Sequence, residues 1–184
     1  MKKFGLILAA LVVLLGIWGV SSYNGLVSMH EQVSSSWAQV DAQLQRRADL
    51  IPNLVNTVKG YAAHEEKAVA DVSSARSRLL NASSPESRME ANGELSSALG
   101  RLLMISENYP NLKANQNFLA LQDELAGTEN RIAVSRRDYN NIVQNYNAKI
   151  RSFPTNLFAG LFGFHDAPYF QADKDAKTAP KVQF

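Results

Sequence analysis

Side chains able to do chemistry are few and scattered in this chain. The three histidines, His30, His64 and His165, stand far apart in the sequence. His64 opens H-E-E-K, which lacks the second histidine of a zinc-binding H-E-x-x-H helix, so a solvated surface position is expected for it. With no cysteine, thiolate metal sites, disulfides and a cysteine nucleophile are excluded. No G-x-S-x-G elbow, Walker loop or G-x-G-x-x-G turn occurs. The residues therefore offer no catalytic, metal or cofactor site, and a non-enzymatic role is expected.

Two polar clusters remain. One is Arg46, Arg47 and Asp49 in R-R-A-D; the other is Glu129 and Arg131 in E-N-R, followed by Arg136 in R-R-D. Glu129 is spaced to reach an arginine across a helix pair, and Asp49 to cap a helix while accepting from Arg46. The plainer reading is ion pairs and caps that fix helix register. The sharper one is a polar pocket around Arg46, Asp49 and Glu129, which would make the protein a sensory or ligand-binding module.

Helices must position these groups. Lys2 and Lys3 precede an uncharged run from Phe4 to Tyr23 that includes Leu8, Leu14 and Trp18. Twenty helical residues span roughly 30 Å, the thickness of a bilayer's hydrocarbon core. Trp18 and Tyr23 fall toward one end, where aromatic residues favour the interface. A cleaved signal peptide fits the same features, with Val20-Ser21-Ser22 as its cleavage site. The length of the apolar run favours an uncleaved anchor. Positive charge precedes the run, and no charge of either sign follows it until Glu31. The expected topology is therefore a cytoplasmic N-terminus in the bacterial inner membrane with the remainder outside, the reverse being the alternative.

Val33, Trp37, Val40 and Leu44 recur at helical spacing, as do Ile51, Leu54, Val55 and Val58 beyond Pro52. Proline lacks an N–H and clashes with the carbonyl four residues back. This predicts one helix over 24–48 and a second over 49–81 capped by Asp49, or a single kinked rod. The anchor is expected to run straight into the first of these. Gly60 within the second suggests a close helix crossing. Ser84-Pro85-Glu86 predicts a capped start for a third helix over 85–108. Phe118, Leu121, Leu125, Ile132, Tyr139, Val143, Tyr146 and Ile150 mark a fourth over 114–152. The expected fold is all-α: an anchor over 1–23, an elongated antiparallel four-helix bundle over 24–152, and an aromatic tail over 153–184.

That tail holds Phe158, Leu161, Phe162, Phe164, Tyr169 and Phe170, then turns to Asp, Lys, Ala and Thr after Gln171, with Pro180 and Phe184. Its aromatics either cap one end of the bundle or form an interaction patch for membrane, a partner protein or a neighbouring copy. The net charge of +2 comes from Lys2 and Lys3, leaving 17 basic and 17 acidic residues beyond Tyr23. A neutral domain lacks the concentrated basic face that nucleic acid requires.

Four blocks resemble the LemA family of bacterial membrane proteins. They are Q-L-Q-R-R-A-D-L-I-P-N-L-V with V-K-G-Y-A-A-H-E between Gln43 and Glu65, T-E-N-R-I-A-V-S-R-R-D-Y-N from Thr128, Y-N-A-K-I-R-S-F-P-T-N-L from Tyr146, and L-F-G-F from Leu161. The resemblance implies a membrane-tethered helical bundle and makes membrane proteases or TPM-domain proteins plausible partners. Together these readings predict a non-enzymatic scaffold or adaptor of the bacterial envelope, a homo-oligomer held to the lipid bilayer by its N-terminal helix.

Overall fold

A computed structural model describes residues 2–62 and 64–170. The stretch expected to be rich in Asp, Lys and Ala after Gln171, with Pro180 and Phe184, lies outside the described residues, as does Met1. The elements are α1 (Lys2–Tyr61), α2 (Glu66–Asn81), α3 (Pro85–Ser106), the single turn α4 (Pro110–Lys113), α5 (Gln116–Arg151) and the single turn α6 (Asn156–Ala159). Among the described residues there is no strand, so the all-α expectation holds.

The first correction concerns Pro52. Of the two alternatives the single rod is found: no helix ends at Ala48 and none starts at Asp49, since α1 runs unbroken through Pro52 to Tyr61. Interior proline costs about 3 kcal/mol. Ile51, Leu54, Val55 and Val58 are buried around it, and each such side chain contributes about 1.5–3 kcal/mol when buried. Together they outweigh the proline. The oxygen that Pro52 cannot serve, on Ala48, is taken by Arg76 Nε of α2 at 2.7 Å. Asp49 is thus no cap; inside the helix it accepts from Gln45 Nε2 at 2.9 Å.

The break comes about two and a half turns later, where the chain reverses between Tyr61 and Glu66. The reversal lays Val69, Val72 and Leu79 of α2 back into the core, all buried. Gly60 sits in the last turn of α1, and a Cβ added there would meet nothing within 4 Å. The close crossing expected at Gly60 is therefore absent. Its low helix propensity, about 1 kcal/mol below alanine, instead suits a helix about to end.

α3 starts as its sequence requires. Ser84 Oγ accepts from Ser87 N at 3.2 Å, Ser87 Oγ accepts from Ser84 N at 3.0 Å, and Pro85 takes the first helical position. The stretch before α5, expected to be a loop, holds the turn α4. Asn115 then caps α5 by accepting from Phe118 N at 3.0 Å.

α5 runs antiparallel along α1. Asn115 bonds to Tyr61 at one end, and the rings of Tyr146 and His30 lie 5.8 Å apart at the other. α2 and α3 form the second antiparallel pair, with α2 also packed against α1. Val40, Leu44, Ile51, Leu54, Val72, Leu95, Leu102, Ile132 and Val143 make one continuous core. The apolar segment of α1 stands outside it. Phe4, Leu8, Leu14 and Val20 are exposed, and α1 is, among the described residues, the one helix long and apolar enough to cross a membrane. That segment and the bundle core belong to a single helix with no joint between them.

Candidate functional site

Helical phase sorts the neighbouring arginines. Arg47 lies three residues after Leu44, on the buried stripe, and is 5% exposed. Its Nη1 meets Glu129 Oε2 at 2.8 Å, Asn92 Oδ1 at 2.9 Å and Ser96 Oγ at 3.0 Å, tying α1 to α3 and α5. Arg46, one residue back, points off the stripe and pairs with Glu124 at 2.6 Å, to which Arg131 also reaches at 3.2 Å. Hydrogen bonding and charge from Arg46, then Arg131, hold the Glu124 carboxyl below its ordinary range. Asp41 and Arg88 add a further pair at 2.8 Å.

Arg46, Asp49 and Glu129 thus each take a different partner. Of the cavities in the molecule, one of about 400 Å³ opens between Ser74, Arg78 and Glu94, and one of about 480 Å³ between Arg151, Asn156 and Asp166. Sequence reasoning missed Glu124, Asn92, Ser96 and Arg76. The step of three from Leu44 would have singled out Arg47 from Arg46; nothing local points to Arg76.

The second assembly lies where α1 leaves its apolar segment. After α5, the chain turns through α6 and comes back as an extended strap along α5. Gly163, at φ 78°, allows the reversal, since that left-handed backbone costs glycine little. Two asparagines hold the strap by its backbone. Asn147 Nδ2 donates to Ala167 O and its Oδ1 accepts from Ala167 N, both at 2.9 Å. Asn140 does the same for Phe170, at 2.9 and 2.8 Å. The spacings agree: seven helical residues rise about 10.5 Å, and three extended residues cover about 10 Å. Tyr139 Oη donates to Pro168 O at 2.8 Å between them. Burial, with a smaller contribution from Glu86, pushes the Tyr139 phenol up to about 12. Arg151 closes the loop on Asp166 and holds that carboxyl below its usual range. Neither asparagine was singled out beforehand, because helical asparagines read as surface and a backbone partner leaves no mark in sequence.

The strap divides the tail aromatics. Phe170 is buried, with the Arg136 guanidinium 4.1 Å above its ring, and Phe164 packs against Tyr23 and His30. Arg136 is thereby brought to the strap. Phe158 meets Trp18 at 5.6 Å between ring centroids, and Phe162 meets Tyr23 at 5.2 Å, both edge to face. Leu161, Phe162 and Tyr169 remain exposed. Capping and exposure thus coexist within one tail, and Phe162 shows both.

Among the described residues no group of three or more His, Asp or Glu side chains is arranged to hold a metal ion.

The family model for LemA, described as the LemA family, matches residues 36–184. Magnetosome protein MamQ 2 of Paramagnetospirillum magneticum is 30% identical over 186 residues, covering 87% of this chain and 68% of that protein. Magnetosome protein MamQ of Magnetospirillum gryphiswaldense is 28% identical with the same coverage. Protein LemA of Metamycoplasma hominis is 27% identical over 156 residues, covering 84% of this chain and 71% of its own length.

Proposed function

Because this chain belongs to the LemA family, we propose that it is a non-enzymatic, membrane-anchored scaffold of the bacterial envelope that acts by associating with itself and with other membrane proteins. The observation that carries this reading is the unbroken α1, exposed and apolar at its start and buried in the bundle core thereafter. One helix is both tether and central beam, so a partner gripping the bundle is held at a fixed place relative to the bilayer.

The first partner is a second copy of the chain. Membrane proteases and TPM-domain proteins are the other partner classes that the resemblance suggests. The proposed topology has the N-terminus in the cytoplasm and the bundle on the outer side of the inner membrane; the two lysines that precede the apolar run support it, and the reverse is the alternative. The competing reading, a pocket around Arg46, Asp49 and Glu129, gains no support, since each of those side chains is engaged within the protein.

Light scattering of the full-length protein in detergent tests the scaffold, alongside cross-linking in intact membranes. A defined oligomer whose spacing recurs among the cross-linked species is the expected result. A single-copy mass with no self-cross-link would overturn self-association. Protease digestion of sealed cells and of inverted vesicles reads the topology, and cleavage of the bundle only in inverted vesicles would reverse it.

A further inference from the structure

We propose that the uncharged loop between α5 and the strap, residues 152–164, inserts into the bilayer beside the anchor and gives the protein a second contact with lipid. The inference rests on the reading of α1 as a membrane anchor.

The loop's surface is that of a membrane-facing element. Phe153 and Leu161 are each 79% exposed, Leu157 62% and Phe162 51%. Large apolar side chains this exposed, close together in sequence, are unusual on a surface that faces water. From Ser152 to Phe164 there is no charged residue, and the Arg151–Asp166 ion pair brackets the loop at its base. The same absence of Lys, Arg, Asp and Glu runs along α1 from Phe4 to His30.

Depth selects lipid over a soluble partner. If hydrocarbon begins just past Lys3, a core of roughly 30 Å reaches residue 23 of a straight helix. Trp18 then lies about 8 Å inside the far boundary. Phe158 is in ring contact with Trp18, and Phe162 with Tyr23. Side chains fastened to those two residues sit at their level, within the outer hydrocarbon and interfacial zone. A protein domain in solution does not reach that level. The exposed apolar surface of α1 passes without interruption onto the loop, and a single continuous surface takes a single solvent.

The buried and exposed residues of the tail then have complementary tasks. Phe164, Phe170 and the two asparagines fasten the loop to the bundle, while Phe153, Leu157, Leu161 and Phe162 face lipid. Such a contact pins the bundle against the bilayer at two places, the anchor and the loop.

Tryptophan quenching by brominated phosphatidylcholine in vesicles tests this on the full chain. Trp37→Phe leaves Trp18 as the reporter of the anchor. Trp18→Phe with Trp37→Phe and Leu161→Trp puts the lone indole at the loop, at an exposed position that tolerates the larger ring. Circular dichroism confirms that both proteins are folded, and Phe153→Trp in place of Leu161→Trp provides a second reporter. The expected result is quenching of the loop indole comparable with that of Trp18, together with a blue-shifted emission. Trp18 quenched and both loop reporters unquenched would overturn the loop proposal while leaving the anchor intact. Loop reporters that are blue-shifted yet unquenched would assign the surface to a second copy, which also overturns it. Trp18 itself unquenched would remove the anchor reading and this inference with it.

Discussion

Arg76 donates a 2.7 Å hydrogen bond to the carbonyl oxygen of Ala48, the oxygen that Pro52, four residues on, leaves without its helical donor. A defect in one helix thereby becomes the docking point of the next. The mid-helix proline and the distant arginine make one feature, and they can be separated by mutation.

Arg76→Ala should destabilise the protein by about 1–3 kcal/mol, because it leaves a carbonyl unpaired at a helix interface. In a Pro52→Ala background the helix supplies its own donor to Ala48, so the same Arg76→Ala change should cost less. Urea unfolding of the four proteins of this cycle measures the coupling. Equal costs in both backgrounds would show that Arg76 acts only through its packing.

The two neighbouring arginines should behave differently. Arg47 is buried with three partners, and Arg47→Ala is expected to cost about 2–4 kcal/mol through lost packing and the orphaned Asn92. Arg46 pairs with Glu124 in the open, and Arg46→Ala should cost under about 1 kcal/mol. Thermal melts of the two variants suffice to rank them, and a larger loss from Arg46→Ala would contradict the assignment.

Removing the strap's fastening should free it without melting the bundle. Asn147→Ala deprives Ala167 of partners for both its N–H and its C=O, at a cost of about 1–3 kcal/mol. Chymotrypsin should then cut at Tyr169 or Phe170 faster than in the parent protein, with helical circular dichroism unchanged at low temperature. An unaltered cleavage rate would mean that the contacts of Asn140, Tyr139 and Arg151 hold the strap without Asn147.

Alkaline stability should report on Tyr139. Its hydroxyl donates to Pro168, and its folded-state pKa is raised to about 12, against about 10 for an unfolded chain. A group raised in this way contributes fully below its unfolded value, and the contribution is lost as pH rises through its folded value. The melting temperature should hold to about pH 10 and fall between about 10 and 12. Tyr139→Phe should start lower and fall less steeply over that window. Parallel curves for the two proteins would place the alkaline transition elsewhere.

Much of the architecture could be read directly from side-chain periodicity. The stripe from Phe118 to Ile150 is the buried face of α5, and Ser84-Pro85 starts α3 where expected. Pro52 left a break and a single rod both open, because a local rule met a tertiary remedy: the partner that relieves it lies in another helix. The arginine clusters were visible as charge, but which member is buried depends on phase relative to Leu44. The strap left the faintest trace. Asn140 and Asn147 recognise backbone, and backbone looks alike under any sequence. The tail aromatics were legible as a group, and only packing against Trp18, Tyr23 and α5 divides them.

Unbroken continuity of α1 has a mechanical consequence. From Tyr23 to Tyr61 the helix rises about 57 Å, which is how far an anchor ending at Tyr23 and standing upright would carry the reversal between α1 and α2 from the bilayer. With no joint to absorb it, a change of membrane thickness that leans the anchor must lean the whole beam. A lean of about 10° would sweep the far tip sideways by about 10 Å. The far tip of such a beam moves sideways by more than any point on the anchor does.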